Sequence, residues 1–267
     1  MNKLIELFKR KTFLIVLFIA CSSFAVLLQS EKPVLYIIGD STVKNGDGTG
    51  KQSLWGWGSF LGSYFDEQKI EVQNHAIGGR SSRTFLTEGR WDKILATLKP
   101  GDYVMMQFGH NDAGPLDDTA RARGTIKGTG DDSVEIYNPI RKMKEVVHSY
   151  GWYMRKYVLE AKAKGATPII CSLIPRNNWK DGKVIRSNEG YGLWAREIAE
   201  KYGAYFIDLN NSIADVYERM DPSAVKKFFP VDNTHTNKEG ALLNVGKVIK
   251  GLRSLNDCRL KDYLLNK

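Results

Sequence analysis

The stretch VLYIIGDSTVKNGDG, residues 34–48, runs five apolar residues straight into a glycine, an acid and a serine. A continuous run such as Val34-Leu35-Tyr36-Ile37-Ile38 suits a strand covered on both faces, as strands are in parallel α/β sheets. In such sheets ligands and chemistry collect just beyond the carboxyl ends of the strands. Ser41 would stand at that edge. The alternative is a plain turn, with Asp40 or Ser41 capping a following helix, and the rest of the chain has to decide between the two.

Working outward, similar runs recur at Ile70–Ala76 (IEVQNHA), Asp102–Phe108 (DYVMMQF), Thr167–Ile174 (TPIICSLI) and Ala204–Leu209 (AYFIDL). Helical patterns lie between most of them. In GLWAREIAEKYG (192–203) the residues Leu193, Trp194, Ile198, Ala199 and Tyr202 are expected on one face. In the last helix Ala241, Leu242, Val245, Val248, Ile249 and Leu252 repeat at helical spacing. Strands alternating with helices predict a doubly wound parallel sheet with right-handed crossovers. No linker and no internal repeat is visible. The stretch from Ala113 to about Val147, which contains RARGTIKGTGDDSVEIYNPIRKMKEVVH, reads as too polar and too broken by glycine to be core. It follows a strand end, on the face where ligands bind.

A chain of 267 residues that is 42% hydrophobic can bury one large core or two small ones and is not disordered by composition. Residues 1–30 read as an export signal: a basic start (Lys3, Lys9, Arg10, Lys11) precedes an apolar run from Phe13 to Ala20. FIAC (18–21) has the form of a lipoprotein cleavage box that leaves a lipidated Cys21. Ser23-Phe24-Ala25 would serve an ordinary signal peptidase, and an uncleaved anchor would run on to Leu28. All three place the body, residues 31–267, outside the cytoplasm.

Only Cys171 and Cys258 remain in that body, too few for a disulfide scaffold, and Cys171 sits in an apolar run as a small buried hydrophobe. The formal charge is +9, of which the leader supplies three, leaving +6 on the body. Such an excess suits an acidic partner. No basic helix or stacking motif points to nucleic acid, so an anionic polysaccharide or a membrane surface is the expected partner, the polysaccharide as substrate and a membrane through a lipid anchor at Cys21.

GDGTGKQS (46–53) has the flavour of a phosphate loop but fails its pattern: Asn45 stands where a glycine is needed and Gln52 follows Lys51 in place of the hydroxyl. A solvated turn is expected there. Better candidates follow the strands: Ser41, then IGGRSSR (77–83), then GHND (109–112), and late in the chain PVDNTHTNKEG (230–240). Acyl transfer through serine needs a base within hydrogen-bond reach, a group orienting the base, and donors aimed at the developing oxyanion. Asp232 and His235 are three apart and can face the same way on one turn. Gly79 can bring a backbone N–H close to a substrate, and Asn111 offers an amide donor that does not titrate. Each also has a structural reading, Gly79 as a turn, Asn111 as a cap, and Asp232-Asn233-Thr234 as the N-cap of the last helix.

GDS (39–41), the glycine of NHAIGGRSSRTF, the Gly-x-Asn-Asp of GHND and the Asp-x-x-His of DNTH resemble, in order, the four blocks of the SGNH (GDSL-like) hydrolases. Thr42, GWG (56–58), GGRSSR and FGHND make the chain most similar to the rhamnogalacturonan acetylesterases, over most of residues 34–252. The resemblance implies Ser41 as nucleophile and His235 as base, oriented by Asp232. It implies an oxyanion hole of the Ser41 N–H, Gly79 and Asn111. It also implies a three-layer α/β/α fold on a five-stranded, flavodoxin-like parallel sheet, with no metal and no cofactor. The expected activity is removal of acetyl groups from plant cell-wall polysaccharide, most of all acetylated rhamnogalacturonan. Acetylxylan or a lipid ester on the same site is a second reading, and a carbohydrate-binding surface protein without turnover is a third. Of His75, His110 and His148, the first and second adjoin motif residues and could line the pocket, but each is expected as a satisfied structural residue. Arg80 and Arg83 are expected to support the loop through ion pairs in preference to clamping a uronate.

Overall fold

The computed structural model describes residues 32–266. Contacts divide the chain after Lys32, and the part from Pro33 onward is one compact unit. The signal expected over residues 1–30, Cys21 included, lies outside the described residues.

In chain order the strands are β1 (Val34–Gly39), β2 (Glu71–Asn74), β3 (Tyr103–Gln107), β4 (Ser133–Asn138), β5 (Met143–His148), β6 (Thr167–Cys171), β7 (Trp179–Lys180), β8 (Lys183–Val184) and β9 (Tyr205–Ile207). Five of them form one sheet in the order β2-β1-β3-β6-β9, every neighbouring pair parallel. The helices are α1 (Gly58–Leu61), α2 (Ser82–Thr87), α3 (Arg90–Thr97), α4 (Tyr150–Ala163), α5 (Tyr191–Tyr202), α6 (Leu209–Tyr217), α7 (Pro222–Lys226) and α8 (Lys238–Ser254).

The unbroken apolar run of β1 is explained by cover on both faces. Leu35 and Ile37 point into a core shared with Met105, Ile169 and residues of α6 and α8. Val34, Tyr36 and Ile38 point the other way, onto Trp91, Tyr157 and Ile198 from α3, α4 and α5. Each such side chain taken fully out of water contributes about 1.5–3 kcal/mol against the entropy of ordering it. The result is a three-layer α/β/α fold of flavodoxin-like strand order. In this order the chain leaves β1 toward β2 on one side and returns to β3 on the other. The switch point, where a crevice opens, therefore lies beyond the ends of β1 and β3.

The stretch from 113 to 147 departs from its expected irregularity. It carries the antiparallel hairpin β4–β5, and Ala122, Thr125, Asn138, Glu145 and Val147 are buried. Arg83, fully buried, holds it: Nε donates to Glu145 Oε1 at 2.7 Å, and Nη1 donates to the carbonyls of Leu116 and Gly124 at 2.8 and 2.9 Å. Asn138 donates to the other Glu145 oxygen. A segment buried through an ion pair has no apolar period to reveal it. Two helical positions also differ. Leu193 lies on the far side of α5 from the buried Ala195 and Ile198, and Leu242 sits exposed at the margin of the α8 stripe. Residues 46–53 form an exposed turn, with Asp47 accepting from Thr49, and Cys171 and Cys258 are free and buried. Among the described residues no helix is long and apolar enough to cross a membrane.

Candidate active site

The strand β1 ends on glycine because nothing larger fits: a Cβ on Gly39 would lie 2.6 Å from both the Gln107 carbonyl oxygen and Val43 Cγ2. The turn that follows is fixed from below. Asp40, fully buried, accepts from the Thr42 N–H and hydroxyl at 2.8 and 2.7 Å. Gln107, at the end of β3, donates to Thr42 Oγ1 at 2.6 Å and accepts from Trp57 Nε1 at 2.9 Å. Burial pushes the Asp40 carboxyl up to about 6, against the bonds from Thr42 that favour its ionised form. Held in this way, residues 40–43 make a turn with no helix to cap, and the Ser41 hydroxyl stands half-exposed above the sheet edge.

Ser41 Oγ lies 2.8 Å from His235 Nε2, and His235 Nδ1 lies 2.6 Å from Asp232 Oδ2. The other oxygen of Asp232 accepts the N–H groups of Thr234 and His235 at 2.7 and 2.8 Å, so one carboxylate shapes the turn and faces the ring. Partial burial pushes Asp232 up, but the His235 N–H, the imidazole and the Thr234 N–H outweigh it and hold the carboxyl below its usual range. An ionised acceptor at Nδ1 selects the tautomer with the proton there, leaving the Nε2 lone pair toward Ser41. The N-cap of α8 is Asn237, which accepts from the Gly240 N–H at 2.9 Å, so Asp232-Asn233-Thr234 is not the cap. Backbone bonds anchor the loop on both sides, Trp55 N–H to the Thr236 carbonyl and Asn177 N–H to the Asn233 carbonyl, each 2.8 Å.

Gly79 has φ +79°, in the left-handed region that favours glycine. The Asn111 side chain, 8% exposed, donates one amide hydrogen to the Arg80 carbonyl at 2.8 Å and makes no other side-chain hydrogen bond among the described residues. No helix begins at Asn111; the next regular element is β4. Asp112, missed as a positioning residue in the sequence, ties two motifs together: it accepts from the Ser82 N–H and hydroxyl and from the Gly109 N–H. Burial pushes its carboxyl up to about 7. Its place inside GHND, with Ser82 inside GGRSSR, was the available signal. Together Ser41, His235 and Asp232 form a hydrogen-bonded line, and the ends of β2 and β3 bring Gly79 and Asn111 into one linked loop system. Such a line can transfer a proton from a serine hydroxyl to an imidazole held in one tautomer.

The remaining histidines divide. His75 bonds Gln73 through Nε2 at 2.8 Å, and the His148 ring stacks on Trp152 at 3.8 Å, its buried Nδ1 without a hydrogen-bond partner among the described residues. His110 is not the satisfied residue expected, since neither buried ring nitrogen has a hydrogen-bond partner among the described residues. Burial, with Arg176 and His235 adding to it, pushes its pKa down to about 3. An unfolded histidine titrates near about 6.5, so below that pH the unfolded chain binds the extra proton and stability is lost as pH falls toward 3. At pH 5 this group accounts for about 2 kcal/mol. Urea unfolding at pH 7.5 and pH 5 is expected to show the wild type losing about 2 kcal/mol more than His110→Leu; equal losses would mean the folded imidazole takes up its proton normally. Arg80 pairs with Glu88 at 3.0 Å and Arg83 with Glu145, so both serve the loop through ion pairs as expected. Among the described residues no group of three or more His, Cys, Asp or Glu side chains is placed to hold a metal ion.

Residues 37–243 match the GDSL-like lipase/acylhydrolase family. The chain belongs to that family, and it is a carboxylic ester hydrolase. It is 32% identical over 235 residues to a rhamnogalacturonan acetylesterase of Emericella nidulans, a match covering 88% of this chain and 90% of that protein. It is 27% identical over 253 residues to the rhamnogalacturonan acetylesterase RhgT of Bacillus subtilis, covering 89% and 97% respectively. Among solved structures it resembles YxiM of Bacillus subtilis with a TM-score of 0.67 and 27% identity, over 84% of this chain. The chain spans 56% of that longer protein.

Proposed function

We propose that this protein is an exported serine esterase that removes acetyl groups from an acidic plant cell-wall polysaccharide, acetylated rhamnogalacturonan. The observation that carries the chemistry is the line from Ser41 Oγ through His235 to Asp232, at 2.8 and 2.6 Å. Ser41 Oγ attacks the acetyl carbonyl carbon while His235 Nε2 takes its proton. The carbonyl oxygen becomes an oxyanion that the Ser41 and Gly79 N–H groups and the free amide hydrogen of Asn111 would receive. The C–O bond to the sugar breaks, and the sugar oxygen leaves with the proton from Nε2. Water then adds to the acetyl-serine, giving its proton to the same nitrogen, and acetate departs as Ser41 regains its hydrogen.

The substrate is supported by the names of the relatives, both rhamnogalacturonan acetylesterases and both matched over nearly their whole length. An acidic polymer also suits the +6 body, and export is supported by the basic, then apolar, leader. Acetate release compared across acetylated rhamnogalacturonan, homogalacturonan and xylan tests the assignment. Rhamnogalacturonan is expected to be the best substrate by at least about tenfold in kcat/KM, or roughly 1.4 kcal/mol of transition-state discrimination. A xylan rate equal to or above it would remove this substrate, and no acetate from any ester would favour a binding protein.

A further inference from the structure

Beside the candidate site the segment 118–123 holds two arginines in a costly arrangement. Asp118 accepts the backbone N–H groups of Ala120, Arg121 and Ala122 at 2.8, 2.6 and 3.1 Å, making a tight turn. Ala122, buried, has φ +43°, a left-handed conformation that a residue with a Cβ adopts only at a cost. The turn brings Arg121 and Arg123 back over Gly79. A Cβ placed on Gly79 would lie 3.5 Å from Arg121 Nη1 and 3.7 Å from Arg123 Nη1, and Arg123 Nη1 donates to the Gly79 carbonyl at 3.0 Å.

Two guanidinium groups thus converge on one point, and among the described residues neither forms an ion pair with a carboxylate. Arg80, on the same groove, is paired with Glu88, which it shares with Arg90. Burial, and next the neighbouring Arg121, disfavour the charged form of Arg123. Asp40, Asp112 and Asp118 act on Arg123 in the opposite sense, but none of them is in ion-pair contact with either guanidinium, so two like charges, one of them partly out of water, are left facing a site that suits an anion. They lie in a groove of about 480 Å³ whose wall also includes Gly79, Arg80, Glu88 and Ile140, a size in the range of small-molecule sites. Gly78 on the groove wall is a neighbour of the reacting serine: a Cβ on it would lie 3.6 Å from Ser41 Cβ. Ile140, 49% exposed, adds an apolar surface of the kind on which a sugar face can rest.

We propose that Arg121 and Arg123 form a subsite for the carboxylate of a uronate residue, which seats the polysaccharide so that an ester on or next to that sugar meets Ser41. Planar guanidinium groups match a carboxylate in fork geometry, which sulfate-free neutral xylan does not offer. The proposal rests on the acidic-polysaccharide reading above and deepens it.

A binding measurement that needs no turnover separates the two. The full chain carrying Ser41→Ala is titrated calorimetrically with a deacetylated rhamnogalacturonan oligosaccharide and with the same oligosaccharide after methyl esterification of its carboxyl groups. The acid form is expected to bind at least about tenfold more tightly, and adding Arg121→Gln is expected to bring the two forms within about twofold. Arg121 is exposed, and its side chain makes no hydrogen bond or ion pair among the described residues, so this substitution leaves the fold in place. Equal affinity of the two forms, no binding of either, or a preference that survives Arg121→Gln combined with Arg123→Gln would overturn the subsite. So would a loss of kcat on a neutral aryl acetate as large as the loss of binding, measured with the same arginine substitutions in the protein that keeps Ser41, since that would assign the arginines to the oxyanion. Failure of the esterase reading shows separately, as absence of aryl acetate hydrolysis by the otherwise unaltered protein.

Discussion

A Ser41→Ala protein is expected to fold, to melt close to the wild-type temperature and to bind polysaccharide, yet to turn over slower by on the order of 10⁶-fold, or about 8 kcal/mol of barrier. The structural half of this expectation follows from how little the hydroxyl supports. Its hydrogen bond goes to His235 Nε2, while the turn carrying it is fixed by Asp40, Thr42 and Gln107 and the ring is fixed by Asp232. Removing one oxygen leaves all of these in place. The chemical half follows because no other nucleophile replaces it: water would have to attack without the covalent step, aided only by the oxyanion donors. A fluorophosphonate probe is expected to label the wild type at Ser41 and the variant not at all. A variant that keeps turnover within tenfold of wild type, at equal purity and fold, would end the acetyl-serine mechanism.

Much of this site was legible because its blocks follow strand ends. Ser41, Gly79 and Asn111 come after β1, β2 and β3, and a parallel sheet gathers such ends on one edge whatever the intervening sequence. The apolar run of β1 was readable for the same reason, since burial on both faces leaves no polar alternation. What was hidden depended on contacts between distant polar residues. The fate of residues 113–147 turned on Arg83 reaching Glu145, 62 positions away in sequence, and no periodicity records an ion pair. The convergence of Arg121 and Arg123 on Gly79 depended on a backbone reversal at Ala122, where the residue type gives no sign of a positive φ. The cap of the last helix was left open for a local reason: Asp232, Asn233, Thr234 and Asn237 all have capping chemistry, and only the bond to the Gly240 N–H distinguishes Asn237.

Asn111→Ala discriminates between a donor to the oxyanion and a side chain that merely props a loop. The amide has two hydrogens. One is spent on the Arg80 carbonyl at 2.8 Å, which fixes the plane of the group; the other is unspent, and its value depends on what stands opposite it. Facing a neutral ester carbonyl it makes an ordinary weak bond, and facing the oxyanion it makes a charge-assisted one, so the difference falls on the transition state. Alanine is therefore expected to lower kcat by about 10²- to 10³-fold, roughly 3–4 kcal/mol, with little change in KM. The lost bond to Arg80 is expected to cost a further sum of about 1 kcal/mol in folding stability. The two losses are read on one sample: urea unfolding gives the stability, and kcat measured where the variant is fully folded gives the chemistry. A propping role predicts the first loss without the second, because a loop that is folded at all would present Gly79 and Ser41 unchanged. A variant weakened by about 1 kcal/mol that retains near-normal kcat would remove Asn111 from the oxyanion hole and leave the Ser41 and Gly79 N–H groups to carry the charge.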